Sequence, residues 1–323
     1  MTESAPPNWE RATLEKVALQ AVQEQRRARQ WNALFKLLWF TIAFLVLASF
    51  MGWIERPDKD STVSVGRHTA VVDVEGVIGM ESKASAERLI KGLNRAFKDN
   101  NTVGVVLRIN SPGGSPVQAG YVNDEIRRLR AKHPEIPVHA VVQDLCASGG
   151  YYIAVAADKI YVDKASLVGS IGVIMGSFGF VGTLDKLGME RRSYTAGENK
   201  DFLDPFQPEN PAHREHARKM LSEIHEQFIK VVRLGRGARL KETAETFSGL
   251  IWTGEKSIEL GLADSFGSTE FVAREVIKAE KIVDYTVEEN YFEVLSKRLG
   301  TSFGATFARA AAQAAARATL EVR

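Results

Sequence analysis

From residue 70 onward the chain alternates short β-branched runs with stretches whose apolar residues recur every three or four positions. The runs 70–77, 103–109, 138–144 and 159–162, followed by 171–175 and 191–195, predict strands, whereas 84–97 and 117–129 have helical spacing. A rhythm of strand, helix, strand predicts an α/β fold: a parallel sheet under helical cover, built from repeated β-α-β units. Further along, 210–234 reads as a long helix rich in paired charges, 270–279 as another, and the Ala-rich stretch 303–320 as an amphipathic one.

A different pattern stands near the start. Residues 37–54 (LLWFTIAFLVLASFMGWI) carry no charge, and as a helix they would run about 27 Å, close to the hydrocarbon thickness of a bilayer. Trp31, Trp39 and Trp53 lie near its two ends, as interfacial aromatics do. The stretch predicts a single transmembrane helix. A cleaved signal peptide is the competing reading, since Val46, Leu47 and Ala48 resemble a cleavage site, but a 36-residue polar arm precedes the run and apolarity continues past Ala48. Arg26, Arg27, Arg29 and Lys36 before the span outnumber Arg56, Lys59 and Arg67 after it, which favours an inside N-terminus by one charge. The expected organisation is an arm over 1–36, the span over 37–54, a polar linker over 55–67, an α/β domain over 68–282 and a C-terminal extension over 283–323.

Charge and cysteine content narrow the function classes. With 42 Lys+Arg against 40 Asp+Glu, the chain has no basic surplus with which to displace counterions from nucleic acid. Its single cysteine, Cys146, can form neither an intramolecular disulfide nor a CxxC pair. No nucleotide-binding motif is present, and no cofactor is expected.

Three polar constellations follow the expected strands. The first, Ser111-Pro112-Gly113-Gly114-Ser115, comes directly after VVLRIN; its glycines either make a tight strand-to-helix turn or leave backbone amides pointing outward for an oxyanion. The second, DLCASGGYY over 144–152, joins a strand to an apolar helix starting near Gly149. Ser148 there is either an N-cap or an exposed nucleophile beside the free amide of Gly149. It is not a GxSxG elbow, because position 146 is Cys. The third, TAGENKDFLDPF over 195–206, holds Lys200, which by itself reads as a solvated surface charge.

Any serine nucleophile needs a base. Of the six histidines, His68 falls at the end of the linker, His133 precedes a proline, His139 lies in a strand core, and His213, His216 and His225 share the long polar helix. None follows a recognisable triad order, and His213 and His216 lack the i, i+4 spacing of a zinc-binding HExxH. A lysine base is the other solution. It must be neutral, and lowering a lysine pKa from about 10.4 to about 8 corresponds to roughly 3 kcal/mol of lost charge stabilisation. Cys146 as nucleophile is disfavoured, since a lone buried cysteine usually packs as a small hydrophobe.

Taken in order, SPGG after a strand, ASGGYY about 35 residues on, GSIGV over 169–173, ENKD around Lys200 and WTGEKSIELGLAD over 252–264 resemble bacterial signal peptide peptidase A, the membrane-anchored Ser-Lys peptidases. The resemblance covers roughly residues 68–280 and implies a fold akin to ClpP and the crotonases. It implies Ser148 as nucleophile, Lys200 as general base, Ser170 as the hydroxyl that orients the lysine amine, and the amides of Gly114 and Gly149 as the oxyanion hole. SPGGS occurs once, which places the chain with the short, single-copy members. For these the resemblance implies a homo-octamer in which the lysine reaches a neighbouring subunit's serine. It further implies a single-pass protein of the bacterial inner membrane, catalytic domain on the extracytoplasmic side, acting on remnant signal peptides or other apolar peptides. A quality-control protease of the same family, a crotonase-like acyl-CoA enzyme and an inactive membrane scaffold are the alternatives; peptide hydrolysis, CoA binding and serine labelling separate them.

Overall fold

Runs such as Val71–Val72 and Val105–Val106 suit strands covered on both faces, where no alternation with polar residues is required. The computed structural model describes residues 9–50 and 66–287 and bears this out in an eight-stranded sheet. Its strands are β1 (His68–Glu75), β2 (Thr102–Ser111), β3 (Val138–Ala147), β4 (Lys159–Val162), β5 (Leu167–Gly169), β6 (Ile251–Thr253), β7 (Ser265–Phe266) and β8 (Ile282–Asp284). The main path runs β6-β5-β3-β2-β1-β8, with β4 pairing β3 and β7. Every pairing is parallel except β5 with β6. The α/β fold is the one the pattern predicts, but the sheet is mixed where a wholly parallel one is expected, because β6 joins the edge antiparallel.

The chain divides into two compact units, residues 1–64 and 65–323. In the first, α1 (Trp9–Phe50) is a continuous helix through the polar arm and into the apolar run. Leu37, Trp39 and Phe40 are each more than seven-tenths exposed on it. Among the described residues no helix is long and apolar enough to cross a membrane. Residues 51–54 of the expected span, the linker over 55–65 and the Ala-rich stretch 303–320 lie outside the described residues.

In the second unit, α2 (Ala86–Lys98) and α3 (Pro116–Lys132) cover one face of the sheet. Leu89, Leu93 and Phe97 of α2 and Val122, Ile126 and Leu129 of α3 join Val72, Val74, Leu107 and Ile109 in the larger core. Ser115 caps α3 by accepting from the Gln118 amide, with Pro116 in its first turn. Behind these, α4 (Gly149–Ala154) is wholly buried, α5 (Val181–Lys186) is exposed, and α6 (Pro211–Arg236) is the long charged helix. A smaller cluster of Val71, Val106, Val141 and Tyr161 fills the other face under Val272 and Ile277. Both belong to the wide π turn 272–277 that continues the helical turn α8 (Thr269–Phe271). Gly104 permits this approach, since a Cβ there would come within 2.9 Å of Ile277 Cγ2.

Three local expectations are corrected. Residues 171–175 and 191–195 form no strand, and Ile174 and Tyr194 are both 92% exposed. The edge that the first would need is occupied: β6 pairs β5, and the Ser170 amide donates to the Leu250 carbonyl at 2.7 Å. His68 is not in a linker but opens β1 with 1% exposure, its Nε2 3.0 Å from the Tyr285 hydroxyl. Tyr285 in turn donates to Asp99, and the amide of Tyr285 donates to the Val71 carbonyl.

The segment over 252–264 has a structural reading. Thr253 caps α7 (Gly254–Glu259) by accepting from the Lys256 amide. Asp264 accepts from Arg236, which is 1% exposed, and from the Ile160 amide. Burial raises the Asp264 pKa, but these bonds, the Arg236 charge and Arg239 outweigh it and hold the carboxyl below its usual range.

Candidate active site

The parallel strands β2, β3 and β5 end together, and their carboxyl ends carry the polar constellations. Register sets the arrangement: Ser111 lies opposite Cys146, and Ala147 opposite Gly169. Ser148 is the next residue after β3, and its amide donates to the Gly169 carbonyl at 2.8 Å. Its backbone is held at φ 51°, ψ −120°, a region that costs a non-glycine residue about 1–3 kcal/mol. Although Ser148 stands at the cap position of α4, its side chain makes no capping hydrogen bond. The hydroxyl is therefore not used in the way most serines at this position are.

Against Ser148 folds the glycine turn. A Cβ on Gly113 would lie 2.6 Å from the Gly149 amide nitrogen and 2.7 Å from Ser148 Cβ, so only glycine lets the two backbones meet. Gly113 and Gly114 have φ of 94° and 148°, both in the range that favours glycine. The Gly114 nitrogen is 3.2 Å from where a Cβ on Gly149 would stand. Among the described residues neither the Gly114 nor the Gly149 amide donates to any partner, although both residues are packed beside a half-buried serine. Two free backbone donors converging next to a hydroxyl make an oxyanion site geometrically available.

Two further residues build this turn: Ile78, which the sequence alone does not mark, and Ser111, the first residue of the SPGGS run. Ile78 forms a bridge to Gly114, donating its amide to the Gly113 carbonyl and accepting from the Ser115 amide, both at 2.8 Å. Ser111, fully buried, donates its hydroxyl to the Gly76 carbonyl at 2.7 Å and accepts from the Gly113 amide at 3.1 Å. The glycines at 76 and 79, flanking a single Val-Ile pair, were the available signal for a second tight loop.

Ser170 follows Gly169 as Ser148 follows Ala147, and it too has a left-handed φ, 50°. The structure thus brings Ser148, Gly114, Gly149 and Ser170 to one end of the sheet. Lys200 is not joined to them within the chain. It is exposed on the turn-rich loop after α5, its amide donating to the Gly197 carbonyl, and it makes no hydrogen bond or ion pair to Ser148 or Ser170.

The competing chemistries find little support. Cys146 is fully buried in the core, and burial pushes its thiol far above the ordinary range, which removes the thiolate a nucleophile needs. No histidine hydrogen-bonds Ser148: His213 meets Asn199, His225 meets the Ile171 carbonyl, and His139 is buried against Tyr161. Among the described residues no group of three or more His, Cys, Asp or Glu is placed to hold a metal ion.

Comparison with known proteins places this geometry. The description Peptidase family S49 matches residues 130–283, a stretch holding Ser148, Ser170 and Lys200. A Methanocaldococcus jannaschii protein named as a protease is 33% identical over 215 residues, covering 65% of this chain and 68% of that protein. The chain belongs to peptidase family S49. An Enterococcus faecium protein named as a signal peptide peptidase SppA is 30% identical over 203 residues, 63% of this chain and 58% of that one. A Na(+)/H(+) antiporter NhaA of Brucella melitensis biotype 1 is 48% identical over 175 residues, 54% of this chain but 24% of the antiporter. The chain therefore spans between a quarter and just over half the length of these last two relatives.

Proposed function

We propose that this S49 protein is a membrane-anchored serine endopeptidase that hydrolyses apolar peptides, with Ser148 as nucleophile and Lys200 as general base. The observation that carries the proposal is the pair of unpartnered Gly114 and Gly149 amides beside a strained serine whose hydroxyl caps nothing.

The reaction is acyl transfer to water. Ser148 Oγ forms a bond to the peptide carbonyl carbon while its proton passes to the lysine Nζ. The carbonyl oxygen becomes an oxyanion and accepts from the two glycine amides, each worth about 3–4 kcal/mol in the transition state by comparison with similar donors. Collapse breaks the C–N bond, and the lysine ammonium returns its proton to the leaving amine. Water then attacks the acyl-serine carbonyl carbon as the lysine takes its proton, collapse breaks the C–Oγ bond, and the lysine ammonium returns the proton to Ser148 Oγ, releasing the acid and restoring the hydroxyl.

Because Lys200 is exposed and unpaired with Ser148 in one chain, we place the dyad between neighbouring copies of a homo-oligomer, an octamer by the resemblance. Residues 37–54 are proposed as a single span of the bacterial inner membrane, with the catalytic domain outside the cytoplasm in a ClpP/crotonase-like fold. The exposed Leu37, Trp39 and Phe40 on α1 support lipid contact there. A domain tethered beside a bilayer meets apolar peptides left in it at high local concentration, and remnant signal peptides are such peptides.

The test is labelling of the full chain by a serine-reactive fluorophosphonate, alongside hydrolysis of a synthetic signal peptide. Wild type is expected to label and to cut, and Ser148→Ala to do neither. A Ser148→Ala protein that still labels and cuts refutes the assignment.

A further inference from the structure

Among the described residues Lys200 has no side-chain partner, yet its loop is not loose. The residue before it, Asn199, has its Oδ1 3.1 Å from His213 Nε2, and because Oδ1 can only accept, the imidazole donates. Two residues after Lys200, Phe202 packs its ring against His213 at 5.3 Å between centroids and edge-on against His216 at 5.6 Å. His213 is 7% exposed, in the first turn of a helix otherwise studded with solvated charge. That turn is itself fixed, with Pro211 at its start and the Asn210 side chain accepting from the Ala212 amide.

We propose that His213 is a positioning residue for Lys200, holding the Glu198–Asp201 turn to α6 through Asn199 and Phe202 so that the amine is presented from a fixed backbone. The inference rests on the Ser-Lys reading above. A lysine side chain has four rotatable bonds, and a base carried on a wandering loop would lose much of the rate that orientation supplies. Where the serine belongs to another copy, the loop must be shaped before the two surfaces meet, so an anchor internal to the subunit is what the arrangement requires. His213 hydrogen-bonds neither Ser148 nor Lys200, and its Nε2 is engaged by Asn199, so it acts through the loop and not as the base.

The experiment compares full-chain wild type, Lys200→Ala, His213→Ala and His213→Gln for kcat and KM on an apolar fluorogenic peptide, with Tm and oligomeric size measured on each. His213→Ala is expected to lower kcat about tenfold or more at a KM within about twofold of wild type, with native size kept. His213→Gln, which retains an N–H donor for Asn199, is expected to recover most of the loss. Wild-type kcat in His213→Ala, or equal loss in both variants, overturns the inference. If His213→Ala does not fold, Asn199→Ala and Asn199→Asp ask the same question from the loop side: the first loses kcat and the second, keeping the acceptor, does not, and equal values overturn the inference. A Lys200→Ala protein with substantial activity instead sinks the Ser-Lys reading itself, and this inference with it.

Discussion

Ser148 and Ser170 follow the last register pair of two adjacent parallel strands, Ala147 opposite Gly169, and both turn into the left-handed region, at φ 51° and 50°. The two strained serines are held by the hydrogen bonds of their own amides, Ser148 to the Gly169 carbonyl and Ser170 to the Leu250 carbonyl. The strain at Ser148 turns its side chain away from a capping role and sets it beside the Gly114 and Gly149 amides. Backbone energy of this kind is spent where geometry is needed for chemistry more often than where a strand merely ends.

The tight contact of Gly113 with Gly149 and Ser148 makes Gly113→Ala a test of the oxyanion geometry. The methyl would enter backbone atoms that cannot yield like a flexible side chain. The account predicts a loss of about 100-fold or more in kcat, the range found on removing one such donor. Serine labelling by a fluorophosphonate should slow in parallel, because it passes through the same geometry. Near-wild-type kcat in a folded Gly113→Ala protein would remove the glycine turn from the mechanism.

Cys146 sits two residues before Ser148, yet it faces the core opposite Ser111. Cys146→Ala should keep most of the activity and cost about 1 kcal/mol of stability, near the value of one buried methylene-sized group. Iodoacetamide should leave the folded protein unmodified and react on unfolding. Loss of hydrolysis in a folded Cys146→Ala protein would argue for a thiol mechanism.

His139 gives the fold an acid-sensitive point. Burial pushes its pKa down, with Lys159 and Arg130 acting in the same sense and Asp158 and Asp264 opposing, and its Nδ1 has no hydrogen-bond partner. Above about pH 6.5 the imidazole is neutral in both folded and unfolded chains and contributes no pH dependence. As pH falls below that value the unfolded chain takes up the proton first, so stability falls until the folded-state pKa is reached, by at most about 1.4 kcal/mol per pH unit. Urea unfolding at about pH 7.5, 6.5 and 5.5 should show this slope in wild type and a shallower one in His139→Leu. Equal slopes would assign the acid sensitivity elsewhere.

Much of the sheet was legible because β1 to β4 are built from β-branched runs buried on both sides, so composition alone marks them. The apolar residues Ile171, Val173 and Met175 have the same look, but a strand also needs a partner, and only the fold reveals that β6 already occupies the edge. His68 was misread for the opposite reason: polar neighbours on its N-terminal side hid the fact that Tyr285, more than two hundred residues away, covers it. At the site, Ser148, Gly114 and Gly149 stood out as a glycine turn and a serine before a helix. What sets Ser148 apart from an ordinary cap is a dihedral angle and a missing hydrogen bond, neither of which spacing encodes. Lys200 was marked by resemblance alone, since a lysine in a polar loop carries no physical signal of being a base. Ile78 carries no signal in the sequence because its contribution is a pair of backbone contacts between distant turns, and Ser111 stands in the SPGGS run without showing that its hydroxyl ties that turn to Gly76.

The most direct test of the Ser-Lys account is hydrolysis of a short apolar fluorogenic peptide by full-chain wild type, Ser148→Ala, Lys200→Ala and an oligomer reassembled from the two variants together. The account predicts that each variant alone is inactive at native oligomeric size and that the mixed oligomer regains activity through sites taking Ser148 from one copy and Lys200 from another. A Lys200→Ala protein that keeps most of the wild-type rate would contradict it.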